Sequence, residues 1–291
     1  MKKIASGIGV VTAPAKVAYE PGQGSRPGFA GMNWARIDLG GRTVFGTVEG
    51  DRLMIHEGDM FGKCAPTGET AALDGARWLP PCRPAKFIAL WNNLAAAAEK
   101  NGWARPRAPL YFIKTANAYN AHERAIPQPA EGAGRVVFEG ELGVVVGARI
   151  KSATPAQAAA AIFGYTCVND VTAFELIHDD PSFEQWTRAK SFDGFAVFGP
   201  VIATAVDPAE LVVRTLLNGR PRQNYPVSDM FFGPAEVVSS ISQDMTLEPG
   251  DVIACGTSLG VAPMRPGDTV EVAIDGVGVL RNVYGSQGPS A

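Results

Sequence analysis

Three acidic residues in apolar surroundings are the residues of this sequence best suited to chemistry. Glu139 and Glu141 lie in the run Val-Val-Phe-Glu-Gly-Glu-Leu-Gly-Val-Val-Val, whose valines and flanking glycines predict a β-strand. Side chains two residues apart on a strand point to the same face of a sheet, so both carboxylates are expected to project together. Asp170 follows a second apolar segment, residues 165–168, and is expected to complete the set.

Three neighbouring carboxylates predict a site for a hard divalent cation. Two carboxylates side by side in an apolar environment repel each other and lose their hydration, which is unfavourable unless a cation lies between them. Oxygen ligands without a nearby cysteine or histidine suit Mg²⁺ or Mn²⁺ rather than zinc or copper. The alternative for Glu139 and Glu141 is a pair of solvated side chains on an edge strand.

The composition is that of a folded protein without an electrostatic signature for nucleic acid. The chain has 291 residues, which allow one large or two ordinary domains, and 46% of them are hydrophobic, enough for a substantial core. The formal net charge is −3 and no basic block occurs, so a nucleic-acid partner is not expected. Four cysteines are scattered without C-x-x-C spacing, which is typical of thiols in a reducing compartment.

The apolar segments of the chain predict a cytoplasmic protein. None of them is long enough to span a bilayer, so no membrane partner is expected. At the N-terminus two lysines precede an apolar stretch, but glycines interrupt it, and a signal peptide is therefore the less favoured alternative.

Short strand-like segments separated by turn residues predominate along the chain. Residues 33–60 contain three such segments, which predicts a small antiparallel N-terminal unit. A proline-rich stretch at residues 79–84 follows as a linker, and the C-terminal third again reads as short strands with turns. Many short strands with few helices indicate a β-rich sandwich or roll.

Two helices are predicted between these strands. One covers residues 93–101, with an asparagine as its N-cap and Gly102 as its end. The other has Thr154 as its N-cap and a proline at its first position, and residues 156–163 carry its apolar face.

Six sequence signatures together resemble the fumarylacetoacetate hydrolase family. In chain order they are Glu139-Gly-Glu-Leu, Gly164-Tyr-Thr-Cys-Val-Asn-Asp-Val, Ala189-Lys-Ser-Phe-Asp with Phe198-Gly-Pro, Leu247-Glu-Pro-Gly-Asp-Val-Ile, Cys255-Gly-Thr and Gly276-Val-Gly-Val-Leu-Arg-Asn. Their order and spacing hold from about residue 80 to residue 283, most of the chain, which is hard to reconcile with chance.

The resemblance implies a mixed, β-rich α+β fold, namely a fumarylacetoacetate-hydrolase-like β-roll with a small N-terminal β domain. Residues 1–78 are then expected to form the N-terminal domain, residues 79–284 the catalytic domain, and residues 285–291 a disordered tail. Members of the family are usually homodimers with one divalent metal ion per subunit. A homodimer that binds Mg²⁺, or Mn²⁺, is therefore expected here.

The resemblance also assigns roles to individual side chains near the predicted metal. The metal carboxylates of the family fall on Glu139, Glu141 and Asp170, the same set that the residue types predict. Lys190 matches the active-site lysine of the family, whose positive charge supports negative charge that develops on the substrate. The alternative for Lys190 is a surface lysine that pairs with Asp193.

Two further positions match the family outside the carboxylate set. Thr257, in Cys-Gly-Thr-Ser, matches a turn where hydroxyl and amide donors meet the substrate. A structural turn without substrate contact is its alternative. Lys114, in Tyr-Phe-Ile-Lys, matches a common family position and is expected to have a supporting role.

The sequence departs from the family at the predicted lid. Many hydrolytic members have a lid helix with a histidine and, three residues later, a glutamate that together activate water. Here the histidine slot falls at or beside Ala97, and only Glu99 remains. Glu99 is a candidate catalytic base if burial raises its pKa, and its alternative is a solvated residue on an exposed helix.

A second departure follows Asp170. Members that hold a substrate carboxylate often have an arginine and a glutamine where this chain has Phe174 and Ile177. Loss of the guanidinium removes a bidentate clamp and makes that wall apolar, so fumarylacetoacetate itself is not the expected substrate. Arg188 is the candidate replacement for the lost positive charge.

These residues predict a metal-dependent hydrolase that cleaves a C–C bond in a small 2-oxo or 1,3-dioxo acid, such as an acylpyruvate, through a metal-stabilised enolate. Lys190 and Thr257 are expected to bind the substrate, with Lys190 and Glu99 as catalytic residues. Decarboxylation of an oxaloacetate-type acid, or enol–keto isomerisation in aromatic-acid catabolism, needs the same electron sink without an attacking water and is the alternative. A non-catalytic metal-binding protein is the remaining possibility.

Overall fold

The N-terminal strands join into one antiparallel meander. The computed structural model describes residues 31–130 and 132–285. The meander consists of β1 (Asn33–Leu39), β2 (Arg42–Glu49), β3 (Arg52–Gly58) and β4 (Cys64–Ala72), and the short β5 (Arg77–Trp78) also pairs with β1. The predicted antiparallel N-terminal unit is therefore confirmed, and it is one strand longer than the sequence indicates.

The rest of the described chain continues as short strands with few helices. The next elements are β6 (Phe87–Trp91), α1 (Ala95–Asn101), β7 (Leu110–Lys114), β8 (Tyr119–Asn120), β9 (Val136–Val137), β10 (Gly140–Val146), α2 (Pro155–Ala161) and β11 (Ile162–Asp170). They are followed by β12 (Thr172–Ala173), α3 (Trp186–Lys190), β13 (Ala196–Ala203), β14 (Val212–Leu217), β15 (Arg220–Pro226), α4 (Pro234–Asp244), β16 (Val252–Ala254), β17 (Thr269–Ile274) and β18 (Gly278–Val283). Single turns of 3₁₀ helix cover Ala116–Ala118, Phe174–His178, Pro208–Glu210 and Val227–Asp229.

One large sheet runs through the N-terminal meander and the rest of the fold. Its strand order is β4-β3-β2-β1-β13-β11-β10-β16-β6-β7, and β8 pairs with β13 beside this path. The meander joins through β1, which pairs antiparallel with β13 in the register Trp34 to Ile202. Because β10 and β11 are central strands with neighbours on both sides, groups at their ends are held by a rigid framework.

A second sheet of four strands, β15-β14-β17-β18, packs against the large sheet. The two sheets share one core cluster, in which Leu142 and Val144 of β10 lie with Val213, Val272 and Leu280 of the smaller sheet. Burial of each such side chain contributes about 1.5–3 kcal/mol. Two sheets packed around a common core, with few helices, confirm the predicted β-rich roll.

The first predicted helix begins later than the sequence indicates. α1 starts only at Ala95, and its N-cap residue makes no side-chain hydrogen bond. The side chain of Asn93, the expected cap, instead donates 2.9 Å to the carbonyl oxygen of Cys255 and so connects the start of α1 to the segment after β16. Gly102 ends the helix as predicted, with a φ of 70° that favours glycine.

The second predicted helix is present, and a third helix occurs where only strands were expected. The Thr154 hydroxyl accepts from the Gln157 amide at 3.3 Å, and the Gln157 side chain accepts from the Thr154 amide at 2.9 Å, so a capping box starts α2. α2 ends before residue 162, where β11 begins directly. In the C-terminal third, α4 starts with a proline in its first turn, and Glu236 accepts from the Gly233 amide at 2.9 Å. The same local signal is present in the sequence Gly-Pro-Ala-Glu at residues 233–236.

The predicted domain boundaries stay predictions. Residues 1–30 of the predicted N-terminal domain and residues 286–291 of the predicted tail lie outside the described residues. Within the described part of the chain, no helix is long and apolar enough to cross a membrane.

The side chain of His122, near the N-terminal meander, is only 14% exposed and is held in its neutral form. The ring of His122 contacts that of Trp78 edge to face, with centroids 5.2 Å apart, and its Nδ1 accepts 3.1 Å from the Arg281 amide. Burial and then the nearby Arg281 charge lower the pKa of His122 from 6.5 to about 4. The folded state therefore favours the neutral ring, and the stability gained is complete above pH 6.5 and is lost as the pH falls towards 4.

We expect His122→Gln to lose less stability on acidification than the wild type. The pKa shift corresponds to about 3 kcal/mol at most, because one pKa unit corresponds to about 1.4 kcal/mol. The measurement is the change in melting temperature between about pH 7.5 and pH 5. His178→Gln, at an exposed position, is the matched control. An equal acid-induced loss in wild type and His122→Gln would contradict the role of His122.

Candidate metal centre

The three predicted carboxylates come together where β10 begins and β11 ends. Glu141 is the second residue of β10, Asp170 is the last residue of β11, and the register pairs Gly140 with Asn169. The ligand oxygens of Glu139, Glu141 and Asp170 all lie within 4.8 Å of one another. A single cation can therefore contact all three residues.

The prediction that both glutamates lie on one uninterrupted strand is wrong. The strand predicted from the valine run is split into β9 and β10, and Glu139 lies in the break between them. The backbone of Glu139 is fixed by a hydrogen bond from the end of β11, since the Asp170 amide donates 2.8 Å to the Glu139 carbonyl. β9 pairs with β12, while β10 pairs with β11 and β16. The segments before and after Glu139 therefore belong to different sheets.

Gly140, between the glutamates, is clamped by the smaller sheet. Its amide donates 2.9 Å to the Gln223 side chain, and its carbonyl accepts from the hydroxyls of Tyr225 at 2.7 Å and Thr257 at 2.9 Å. A Cβ atom at Gly140 would lie 1.9 Å from the Thr215 hydroxyl oxygen, closer than any side chain tolerates. The close approach of the two sheets thus requires glycine here and sets the directions of both glutamates.

Two buried lysines contact the carboxylates. Lys190, at the end of α3, donates 2.6 Å to Glu139 Oε2 and 2.7 Å to Asp170 Oδ2. Lys114, at the end of β7, donates to Asp170 Oδ1 and, at 3.2 Å, to the Val171 carbonyl. Lys190 is only 2% exposed, so its side chain is part of the buried cluster and does not pair with Asp193.

Burial and mutual repulsion dominate the electrostatics of the cluster. Burial raises the pKa of Glu141 well above its usual value, and the charges of Asp170 and Glu139 raise it further. Burial also raises the pKa of Glu139, which Lys190 opposes. For Asp170, burial acts in the same direction, but Lys114 and Lys190 outweigh it and lower the pKa.

The lysines respond to the same field in opposite ways. Burial lowers the pKa of Lys114, and Asp170 only partly offsets this effect. Burial also acts to lower the pKa of Lys190, but Asp170, Glu139 and Glu141 outweigh it and raise that pKa above its usual value. Lys190 therefore remains protonated at neutral pH.

The donor set fits a divalent cation. Three carboxylates face two ammonium groups, which leaves one negative charge without a partner in the cluster. Glu141 is 1% exposed, and the Gly256 amide donates 2.7 Å to its Oε2. A buried carboxylate without a contacting cation is unfavourable, and carboxylate oxygens are the ligands that hard divalent cations such as Mg²⁺ prefer.

A cavity of about 400 Å³ opens above the cluster. Glu139, Lys190 and Thr257 line its inner end, and Phe174 and Ile177 line its wall, which is apolar as predicted. Three larger cavities among the described residues, of about 620, 600 and 450 Å³, contain none of the cluster carboxylates.

The remaining predicted residues lie in different places. Thr257 reaches the cavity, but its hydroxyl also has the structural partners Gly140 and Gln223, the latter donating at 2.8 Å. Glu99 is exposed on α1, while the same helix presents Ala97 to the cavity. Its role as a catalytic base stays a prediction. Arg188 pairs with Asp179 at 2.8 Å on the surface and does not line the cavity.

Several residues of the site were not singled out in the sequence. Gln223 and Tyr225 are buried on β15, whose other residues are exposed, and both hold the backbone of Gly140. Thr172 donates 3.0 Å to Glu139 Oε1, and Arg135 lines the cavity mouth. The local sequence of β15 has no feature that reveals these contacts, because they depend on the packing of two sheets.

We expect Glu141→Gln to make the metal-free protein more stable and to weaken its binding of metal. Without metal the variant should melt above the wild type at neutral pH, because the raised pKa of Glu141 makes its ionisation destabilising as the pH rises above 4.5. With Mg²⁺ or Mn²⁺ at 100 times its dissociation constant, the wild type should gain about 2.7 kcal/mol, and the variant should gain far less. The measurement is the melting temperature with metal and with chelator. Glu57→Gln, at an exposed position on β3, is the control, and an equal metal-induced shift in Glu141→Gln would contradict the site.

Two family models together match nearly all of the described residues. The model described as fumarylacetoacetate (FAA) hydrolase, C-terminal, matches residues 86–284, and the model described as Rv2993c-like, N-terminal, matches residues 32–81. An uncharacterized protein of Archaeoglobus fulgidus is 42% identical over 217 residues, which cover 74% of this chain and 84% of that protein.

Two of the relatives with named activities show which reactions occur among similar proteins. The 4-hydroxyphenylacetate degradation bifunctional isomerase/decarboxylase of Salmonella dublin is 35% identical over 263 residues, covering 86% of this chain and 60% of that protein. The oxaloacetate tautomerase YisK of Bacillus subtilis is 35% identical over 190 residues, covering 62% of each chain.

Solved structures agree with the sequence relatives. The 2-hydroxyhepta-2,4-diene-1,7-dioate isomerase of Mycobacterium marinum has a TM-score of 0.80 at 36% identity, covering 88% of this chain and 99% of that one. The fumarylpyruvate hydrolase of Pseudomonas aeruginosa, in complex with Mn²⁺ and pyruvate, has a TM-score of 0.64 at 27% identity, covering 70% of this chain and 91% of that one. Because the family model matches residues 86–284, more than half of the chain, and the acidic cluster is in place, the chain belongs to the fumarylacetoacetate hydrolase family.

Proposed function

We propose that the protein is a divalent-metal-dependent isomerase that interconverts the enol and keto forms of a 2-oxo acid. The observation that carries the proposal is the composition of the cavity wall. Among the described residues, the ionisable side chains that line the cavity are Arg135, Glu139 and Lys190, and the last two pair with each other. α1 presents Ala97 and Asn101 to the cavity, whereas Glu99 of the same helix does not line it. The wall offers charge stabilisation without a base that would activate an attacking water.

The carboxylate cluster supplies the electron sink for such a reaction. Glu139, Glu141 and Asp170 would hold the cation, and Mg²⁺ or Mn²⁺ suits three oxygen ligands. When bound, the cation supplies Lewis acidity to the oxygens of a 2-oxo acid. The ammonium group of Lys190 lines the cavity beside Glu139 and adds a positive charge where negative charge develops on the substrate oxygen. Thr257, at the same end, is positioned to orient the substrate.

Isomerisation makes few demands on the rest of the site. Water in the cavity takes the enol O–H proton and returns a proton to carbon 3, so no water is consumed and no C–C bond breaks. Because its pKa is raised, Lys190 acts through its charge and not as a base. Decarboxylation of an oxaloacetate-type acid would use the same charge stabilisation, with carbon dioxide as the leaving group. The named isomerases and the tautomerase among the relatives support the order of these alternatives.

We expect Lys190→Met to lower the rate of oxaloacetate enol–keto exchange about 10²- to 10³-fold, as loss of an oxyanion-stabilising group does in other enzymes. The measurement is the decay of enol absorbance with Mg²⁺, with Mn²⁺ and with chelator. Lys100→Met, at an exposed position on α1, is the matched control and should behave as the wild type. Exchange that is equally fast with chelator and in Lys190→Met would contradict the proposal.

C–C bond hydrolysis of an acylpyruvate is the second candidate function. The likeness to the fumarylpyruvate hydrolase solved with Mn²⁺ and pyruvate favours it. Hydrolysis needs a base for the attacking water, and Glu99 is the candidate. Since the side chain of Glu99 is exposed, α1 would have to shift on substrate binding to bring its carboxylate to the cavity.

Glu99→Gln separates hydrolysis from isomerisation. If Glu99 is the base, pyruvate release from acetylpyruvate should fall at least about tenfold, since general base catalysis contributes about 10²-fold or more. Enol–keto exchange of oxaloacetate by the same preparation is the internal reference. Metal-dependent pyruvate release that is unaffected in Glu99→Gln would exclude Glu99 as the base, whereas absence of pyruvate release in the wild type would exclude hydrolysis of this substrate.

A further inference from the structure

The cavity has an aromatic wall, which we define as Phe112, Trp186, Trp91 and Trp103. All four side chains line the cavity. Their rings follow one another in space, with centroid distances of 5.3 Å from Phe112 to Trp186, 5.9 Å from Trp186 to Trp91, and 5.1 Å from Trp91 to Trp103. Three of the five tryptophans of the chain therefore face one cavity.

The aromatic wall begins at the reactive end of the cavity. Lys190 Nζ lies 5.1 Å from the centroid of the Phe112 ring, so the innermost ring touches the group that faces the substrate oxygen. From there the wall extends to the mouth, where Trp103 is 41% exposed. A 2-oxo acid held at Lys190 would consequently extend its substituent along these rings.

The rest of the cavity offers little to a second negative charge on the substrate. Among the described residues, Arg135 is the one cation besides Lys190 that lines the cavity. Its side chain pairs with Glu175, whose Oε2 also accepts from the Arg135 amide at 2.6 Å. The Arg135 guanidinium further lies over the ring of Phe174, 5.4 Å from its centroid. The remaining wall includes apolar side chains at Leu90, Ile177, Leu259 and Val261.

Exposure at the mouth argues against a purely structural role for the aromatic wall. Trp103, Phe174 and Leu259 are each between 41% and 44% exposed, and all three surround the opening of this cavity. Large apolar side chains gathered at a cavity mouth are typical of a ligand-binding site, whereas single exposed ones need no explanation. The cavity volume of about 400 Å³ lies in the range of small-molecule sites.

We propose that the aromatic wall is a specificity site that binds an uncharged aromatic substituent on carbon 3 of the 2-oxo acid. The proposal rests on the proposed function for the reactive end, and it names the class of substrate: aryl-substituted 2-oxo acids in preference to dicarboxylic ones. Offset or edge-to-face contacts with Trp91, Trp103 and Trp186 stabilise such a ring, and its burial displaces water from the wall.

The test compares two reactive and two unreactive ligands. Phenylpyruvate and oxaloacetate enolise and differ in whether the substituent is a phenyl ring or a carboxylate. Benzoylformate and glyoxylate are 2-oxo acids that cannot enolise, since carbon 3 of benzoylformate is a ring carbon without hydrogen and glyoxylate has no carbon 3, so their binding reports on the site without turnover. Enol–keto exchange is measured for the first pair, and calorimetric binding in the presence of Mg²⁺ for the second.

Trp103→Ala is the informative variant, because its exposed position makes misfolding improbable and its ring forms the outer end of the wall. We expect the ratio of kcat/KM for phenylpyruvate to that for oxaloacetate to fall about tenfold, mainly through KM, and the affinity for benzoylformate to fall similarly. Phe183→Ala, at a position that is 70% exposed and outside this cavity, is the matched control and should leave the ratio unchanged.

Failure of the substrate class and failure of the proposed reaction give different results. Exchange of oxaloacetate without exchange of phenylpyruvate or binding of benzoylformate would overturn the specificity site and leave the isomerase. Binding of benzoylformate that depends on Trp103, without exchange of either acid, would keep the specificity site and overturn the isomerase. A preference for oxaloacetate that disappears in Arg135→Gln would assign the mouth to a carboxylate and overturn the proposal.

Discussion

Three carboxylates buried within 4.8 Å of one another impose the condition on which the rest of the site depends. Their repulsion and lost hydration have to be offset locally, because little solvent reaches the cluster. Lys190 and Lys114 supply two positive charges against three carboxylates, so one negative charge remains for a bound cation to offset. The same field keeps Lys190 protonated, so a group that stabilises the cluster is also prepared to stabilise negative charge on a substrate.

The position of this cluster follows from the way the two sheets meet. Gly140 lies at the junction, where Gln223 and Tyr225 of the smaller sheet bond its amide and its carbonyl. No side chain fits there against Thr215, so the sheets approach closely enough to orient the residues on either side of the glycine. The metal centre is therefore a property of the β-roll and not of a local loop.

The cavity separates two tasks between its two ends. The inner end, with Glu139, Lys190 and Thr257, provides charge stabilisation that isomerisation, decarboxylation and hydrolysis of oxo acids all need. In the proposed scheme, the aromatic wall and the ion-paired Arg135 at the mouth select the substrate that reaches this end. A family with one electron sink can serve several reactions in this way, because the chemistry and the choice of substrate depend on different side chains.

The sequence by itself determined the β-rich class and the residues of the carboxylate cluster, since strand patterns and acidic residues in apolar runs are local properties, but the break between β9 and β10 at Glu139 was not among them. It also placed a lysine from a distant signature beside the cluster through a family resemblance. Only the tertiary structure decided that Lys114 is buried against Asp170, that Asn93 bonds across to another segment instead of capping α1, and that Glu99 faces solvent. These outcomes depend on which strands and helices pack together, and contacts between residues far apart in the chain leave no periodic trace in either segment.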